Sequence, residues 1–200
     1  MYIINIRRHL QTHSGRVLLL TLTLLALYLR TRALSSDPRV VWDAVHFGTF
    51  ANNYIHREFF LDVHQPFGRL LITLLFQMFG YTGDYTFVSG ENYSSSVPFV
   101  QMRAVQAVVG TLLVPLSFAM CQALRMPLVS VWLAAVFVTL ENAFIGIARL
   151  NVLDNMLLVA SAGAVSAFAV VERMHTKQRI CTSHIVMLGL ALALLLKYRH

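Results

Sequence analysis

From Ala104 to Leu124 the chain carries no charged side chain, and Arg103 and Arg125 bracket that run. A helix needs about 20 mainly apolar residues to cross the roughly 30 Å hydrocarbon core of a bilayer. Inside lipid the backbone must satisfy its own hydrogen bonds, so a spanning segment folds as a helix or as part of a closed barrel. The run predicts a spanning helix over 98–124, opened by Pro98. It has neighbours of the same kind. Val17 to Leu29, extended by Ala33 and Leu34 with Arg30 and Arg32 snorkelling at the end, predicts a span over 17–34. Further spans are expected over 126–148, interrupted by Glu141 and Asn142, over 154–171, and over 180–196. The segment Leu70–Phe79 is too short to cross.

Composition agrees with this class. Hydrophobic residues make up 57% of the chain and charged residues 12%, whereas a soluble domain is about a quarter charged. A disordered chain is excluded and a soluble enzyme is a poor fit. The +7 net charge, from 16 Lys+Arg against 9 Asp+Glu, falls singly or in short clusters between the apolar runs. That placement reads as a topology signal rather than a nucleic-acid footprint. Cys121 and Cys181 give neither a disulfide framework nor metal-ligand spacing.

With Leu70–Phe79 outside the membrane, residues 1–16, Arg125 and the 172–179 cluster (Glu172, Arg173, His175, Lys177, Arg179) share one side, taken as cytosolic. Arg30, Arg32 and Arg39 are a local exception. Residues 35–97 then form one long lumenal loop. A cleaved signal peptide is the alternative for the first span, but Arg30-Thr31-Arg32 is a poor cleavage flank, and an uncleaved anchor is preferred. Asn92-Tyr93-Ser94 is a glycosylation sequon within the loop. Gly80–Ser96 reads as irregular, and no repeat or low-complexity tract is present.

Two juxtamembrane helices are expected in this loop, over about 43–60 and 67–79. Asp43 suits an N-cap of the first. Phe47, Phe50 and Tyr54 recur on one face, which fits a helix lying in the interface with aromatics among the headgroups; Asn52, Asn53 and His56 take the other face. The second helix, apolar nearly all round, is expected beneath neighbouring spans, with Pro66 in its first turn.

Taken in order, Trp42-Asp43-Ala44-Val45-His46-Phe47-Gly48, Tyr54, Arg57-Glu58-Phe59-Phe60-Leu61-Asp62-Val63-His64-Gln65-Pro66-Phe67-Gly68-Arg69, Val97-Pro98-Phe99-Val100-Gln101-Met102-Arg103 and Ala148-Arg149-Leu150-Asn151-Val152-Leu153-Asp154-Asn155-Met156-Leu157 resemble the protein O-mannosyltransferases over roughly 38–171. The resemblance implies an all-α polytopic membrane protein of the GT-C glycosyltransferase fold in the endoplasmic reticulum. It also implies inverting transfer of mannose from dolichyl phosphate mannose to Ser/Thr hydroxyls of secretory proteins, with no cofactor. Family members work as homo- or heterodimers and carry further spans and a lumenal β-trefoil domain, which these 200 residues do not contain. The chain therefore reads as the opening portion of a larger protein. It departs from the family at Ala44, where a glutamate follows the aspartate, and at Gln65, where the family has proline.

A hydroxyl attacking the sugar face opposite the phosphate needs a carboxylate to take its proton. Asp43 is the candidate, and a purely capping role is compatible with it. The leaving phosphate wants cations. Arg103 and Arg149, at lumenal ends of spans, are candidates, with a structural brace as the alternative for each. His46, three residues after Asp43, either orients substrate or packs; His64 shapes the loop or touches substrate. Arg69 matches a basic residue of the family motif, and Asp154 caps a helix or contacts the sugar. The spacing of Asp43, His46, Asp62 and His64 does not suggest a metal site. Glu141 lacks an evident partner, and Trp132 is a packing residue. Besides the enzyme, the open readings are a truncated or degenerate non-catalytic partner subunit and an unrelated transporter.

Overall fold

The computed structural model describes residues 13–62 and 66–175. His64, residues 1–12 and everything after 175, including the expected span over 180–196, lie outside the described residues. The described chain is helical: α1 (His13–Thr31), α2 (Trp42–His56), α3 (Pro66–Met78), α4 (Phe99–Thr111), α5 (Leu113–Ala123), α6 (Leu128–Leu140), α7 (Asn142–Ile147) and α8 (Leu153–His175). Its β pairing, among the described residues, is one antiparallel bridge between Arg39 and Asn92.

Among the described residues, two helical stretches are long and apolar enough to cross a bilayer, Phe99–Ala123 and Leu153–Glu172. The first is α4 and α5 together, joined at Leu112. Pro115 accounts for the joint, because its ring crowds the carbonyl four residues back, at Thr111, and offers no N–H to it. Arg125 adopts a left-handed φ of 59° and Met126 donates its N–H to the Cys121 carbonyl at 3.0 Å, a turn that sends α6 back along α5. These helices bury Val114, Phe118, Cys121, Val131 and Ala135 with Ala26 of α1. Trp132 lies against Phe118, ring centroids 4.7 Å apart.

The single helix expected over 126–148 is two. It breaks at Glu141, whose extended backbone (ψ 122°) ends α6 and whose carboxylate accepts the Phe144 N–H at 2.7 Å, capping α7. Glu141 thus finds its partner in the N–H groups of the next turn, which a carboxylate satisfies well.

Residues 35–62 and 66–97 and the helix ends next to them form a second core. Val40, Ala44, Phe47, Ala51, Ile72, Phe76, Tyr81, Phe87, Tyr93, Val97, Met102 and Val152 are buried together. Truncating a ring such as Phe76, 2% exposed, costs about 3–5 kcal/mol in such a setting. The two helices in this layer differ from their expected form. α2 stops at His56, not near 60, because Arg57 turns left-handed (φ 59°) and Glu58 donates to the Asn53 carbonyl at 2.8 Å. Its N-cap position belongs to Val41, and Asp43 sits within the first turn.

The aromatic face of α2 points into the protein instead of toward headgroups. Phe47 is buried, and Phe50 stacks on Phe60 at 5.2 Å with Tyr54 at the edge of the same ring. The polar face is also covered in part: Asn52 donates to the Tyr85 carbonyl at 2.7 Å and accepts the Tyr81 hydroxyl at 2.7 Å. α3 starts at Pro66 but is amphipathic. It packs Gly68, Arg69, Ile72, Thr73 and Phe76 inward, and Phe67, Leu70, Leu74 and Met78 are exposed rather than covered by spans.

Candidate active site

α4 carries a polar face inside an apolar helix. Arg103, Gln106, Ala107 and Gly110, spaced three and four apart, are all buried. Arg103 is 4% exposed. Its Nη1 donates to the carbonyls of Leu34 at 3.0 Å and Asp37 at 2.5 Å, and its Nη2 to that of Arg39 at 3.2 Å. Tyr93 and Phe99, stacked on each other at 4.8 Å, lie 5.7 and 5.0 Å from the guanidinium. One turn on, Gln106 donates to the Val152 carbonyl at 3.1 Å, and Asn155 donates to Gln106 Oε1 at 3.0 Å and to its carbonyl at 2.8 Å. The segment after α1 and the turn before α8 are therefore both fastened to α4.

Between those two fastened segments lies a cavity of about 350 Å³, walled by Leu34, Asp37, Val41, Arg103, Asn142 and Arg149 among others. Arg149 is half-buried and donates Nη2 to the Ala33 carbonyl at 3.3 Å. Of the two expected phosphate ligands, Arg103 has both its terminal nitrogens committed to backbone carbonyls, which fits a brace. Arg149, with one terminal nitrogen bonded at 3.3 Å, is the cation better placed to meet an anion. At the rim, Arg39 holds Asp37 by Nε at 2.8 Å and Nη2 at 2.9 Å. That hydrogen-bonded pair draws the Asp37 carboxyl down to about 2.

Asp43 projects from α2 two residues beyond Val41 of the cavity wall. It is half-buried and makes no hydrogen bond or ion pair among the described residues. A carboxylate left without a partner beside a well-packed helix face is available as a proton acceptor. His46 is exposed and stacks on Phe50 at 6.4 Å; it makes no hydrogen bond or ion pair with Asp43. Arg69 is buried between Phe60 at 5.1 Å and Phe50 at 5.4 Å, with Asp62 3.5 Å from Nη1. Arg69 is thus part of an intramolecular aromatic and carboxylate cluster. Asp154 stands exposed in the first turn of α8, next to buried Asn155. Asn92 is exposed at the bridge to Arg39. Asp43, His46, Arg69 and Asp154 do not line the cavity that Arg103 and Arg149 share. Among the described residues no three His, Cys, Asp or Glu side chains converge on a metal position.

Sequence reasoning missed Asp37, Asp62 and Gln106 as organisers of this region; Asn155, expected with Asp154 as a capping residue at a helix start, ties α8 to Gln106 of α4. Gln106 carried a signal, since an amide inside an uncharged span requires an internal partner. Tyr81 likewise anchors the loop; burial raises its hydroxyl to about 12, so it stays a donor to Asn52.

The described residues form a bundle of apolar helices, two stretches of it long and apolar enough to cross a membrane, capped by a packed layer that holds an unpaired carboxylate and an arginine-lined cavity. The family profile described as "Dolichyl-phosphate-mannose-protein mannosyltransferase" matches residues 20–199, and the chain belongs to that family. Dolichyl-phosphate-mannose–protein mannosyltransferase 3 of Saccharomyces cerevisiae is 35% identical over 157 residues, 78% of this chain and 20% of that protein. Mannosyltransferase 6 of the same yeast is 36% identical over 160 residues, 80% of this chain and 21% of that protein. The solved S. cerevisiae protein O-mannosyltransferase Pmt1-Pmt2 complex bound to the sugar donor is similar with a TM-score of 0.82 and 28% identity, over 92% of this chain and 25% of that one. The GT-C architecture expected from the motifs is the fold of the matched part. The chain spans about a fifth of the length of these curated relatives.

Proposed function

We propose that the protein transfers mannose from dolichyl phosphate mannose to Ser or Thr hydroxyls of secretory proteins, and that these residues form the front of its catalytic core. The carrying observation is Asp43: an unpaired, half-buried carboxylate on a helix whose neighbouring side chains Ala44, Phe47 and Ala51 are locked in the core. In the proposed step the acceptor oxygen bonds to the mannose C1 as the bond from C1 to the phosphate oxygen breaks. The hydroxyl proton passes to Asp43 and dolichyl phosphate leaves. Arg149, at the cavity, meets the charge that grows on the departing phosphate. Arg103 holds the cavity wall, His46 orients the acceptor, Asp154 contacts the sugar, and Arg69 supports the aromatic cluster behind α2. No resident cofactor is invoked.

The same reading places the protein in the endoplasmic reticulum membrane with several spans and residues 35–97 in the lumen, working as a pair with a second family member. The heteromeric yeast structure supports the pairing. A second reading, a non-catalytic partner subunit, is favoured by Ala44. It is 3% exposed in the apolar core and puts no carboxylate beside Asp43. Membranes from cells expressing the full-length chain, alone and with each candidate partner, separate the two readings when given labelled lipid donor and a Ser/Thr peptide. Transfer that depends on this chain's Asp43 supports the enzyme; transfer that needs the chain but not Asp43 supports the partner subunit.

A further inference from the structure

Asn92-Tyr93-Ser94 is the one Asn-x-Ser/Thr triplet with a non-proline centre in the 200 residues. The fold treats its three members differently. Asn92 is exposed and is held through its backbone: its carbonyl accepts the Tyr85 hydroxyl at 3.0 Å, and its bridge partner is Arg39. Tyr93 is buried, 8% exposed, stacked on Phe99 and beside Arg103, and its N–H is held by the Pro38 carbonyl at 2.9 Å. Ser94 is half-buried and accepts the Ser96 hydroxyl at 3.2 Å. Val40 and Gly90 close the segment further through Val40 N–H to Glu91 at 2.7 Å and Gly90 N–H to Val40 at 3.0 Å.

We infer that Asn92 carries an N-linked glycan, attached before residues 38–40 and 90–93 pair. The finished fold leaves room for the product, because the Asn92 side chain faces outward. It withholds the substrate, because an enzyme that must draw the whole triplet into its site cannot do so once Tyr93 is buried and Asn92 is bridged to Arg39. The chemistry is transfer from a lipid-linked oligosaccharide by the lumenal oligosaccharyl transferase. A bond forms between Asn92 Nδ2 and C1 of the first N-acetylglucosamine, the bond from C1 to the lipid pyrophosphate breaks, the lipid pyrophosphate departs, and the amide proton passes to the enzyme's base. The glycan stands beside the Asp37–Arg39 rim of the cavity.

The inference rests on the lumenal placement of residues 35–97, and a second reporter separates the two. Asp84→Asn creates another sequon with Tyr85 and Thr86 at a position that is exposed in the fold. The full chain is expressed with endoplasmic reticulum membranes and digested with a glycosidase specific for N-glycans, with a pulse–chase to time attachment. One mobility step is expected, absent in Asn92→Gln and Ser94→Ala, kept in Ser95→Ala, and complete at the earliest chase point. If only the Asp84→Asn chain shows a step, the loop is lumenal and Asn92 is unused, which overturns the inference alone. No step in either chain overturns the lumenal placement as well. A step that grows during the chase overturns the order of attachment and folding.

Discussion

Arg103, one turn into α4, holds Asp37 by its backbone carbonyl, joining the start of one helix to the segment that follows α1, 66 residues earlier. The same guanidinium serves Leu34 and Arg39. A lysine, with a point charge and no planar fork, cannot serve three carbonyls while stacked on Tyr93 and Phe99. Arg103→Lys and Arg103→Ala should each lose about 3 kcal/mol. The readout is protease cleavage between residues 33 and 41 in permeabilised membranes, which should speed up in both variants and stay slow in Arg32→Ala.

Gly110 crosses α8 so closely that an added Cβ would lie 2.6 Å from the Ala148 Cβ and 2.7 Å from Asn155 Oδ1. Gly110→Ala should cost about 1–3 kcal/mol and shift the turn that carries Arg149. Thermal denaturation of the detergent-solubilised protein measures the first effect. Gly146→Ala, with open space around it, serves as the unaffected control.

Tyr81 couples the loop to pH. Its folded-state hydroxyl ionises near 12, above the ordinary 10, because burial disfavours the phenolate. The proton is therefore held more tightly in the folded state, and the associated stability is complete below pH 10 and lost as pH rises through 12. Stability measured between pH 9 and 12 should fall more steeply in the natural chain than in Tyr81→Phe, which also loses the bond to Asn52 at every pH.

Arg149→Ala should raise the KM for the lipid donor roughly ten-fold, with Arg149→Lys intermediate, because a charge-assisted contact to phosphate is lost. Initial rates at graded dolichyl phosphate mannose measure it. An unchanged KM moves the phosphate elsewhere.

The sequence made some layers of this architecture readable and hid others. The uncharged run 104–124 and the short segment before Gly80 were readable because span length is a matter of counting. The spacing of Phe47, Phe50 and Tyr54 revealed a face but not what covers it, so rings that pack on Phe60 and Phe87 looked like membrane anchors. Glu141 looked like a cost inside one helix because a break shows itself only through the backbone turn that makes the carboxylate a cap. Arg103 was visibly unusual, yet its partners are carbonyls, and carbonyls leave no mark in a sequence. Asp43 stood out through the motif around it, whereas its lack of a partner is a property of the folded layer.

The account rests on Asp43 as the proton acceptor at the lumenal face, and mannose transfer by an Asp43→Asn chain tests it most directly. Asparagine keeps the shape and the helix position but cannot take the proton. Transfer to a Ser/Thr peptide, at saturating donor and with the chain's partner present, should fall by about 100-fold or more, with abundance and protease resistance of the 33–41 segment unchanged. Transfer within about two-fold of the natural chain, at equal abundance, would contradict the claim.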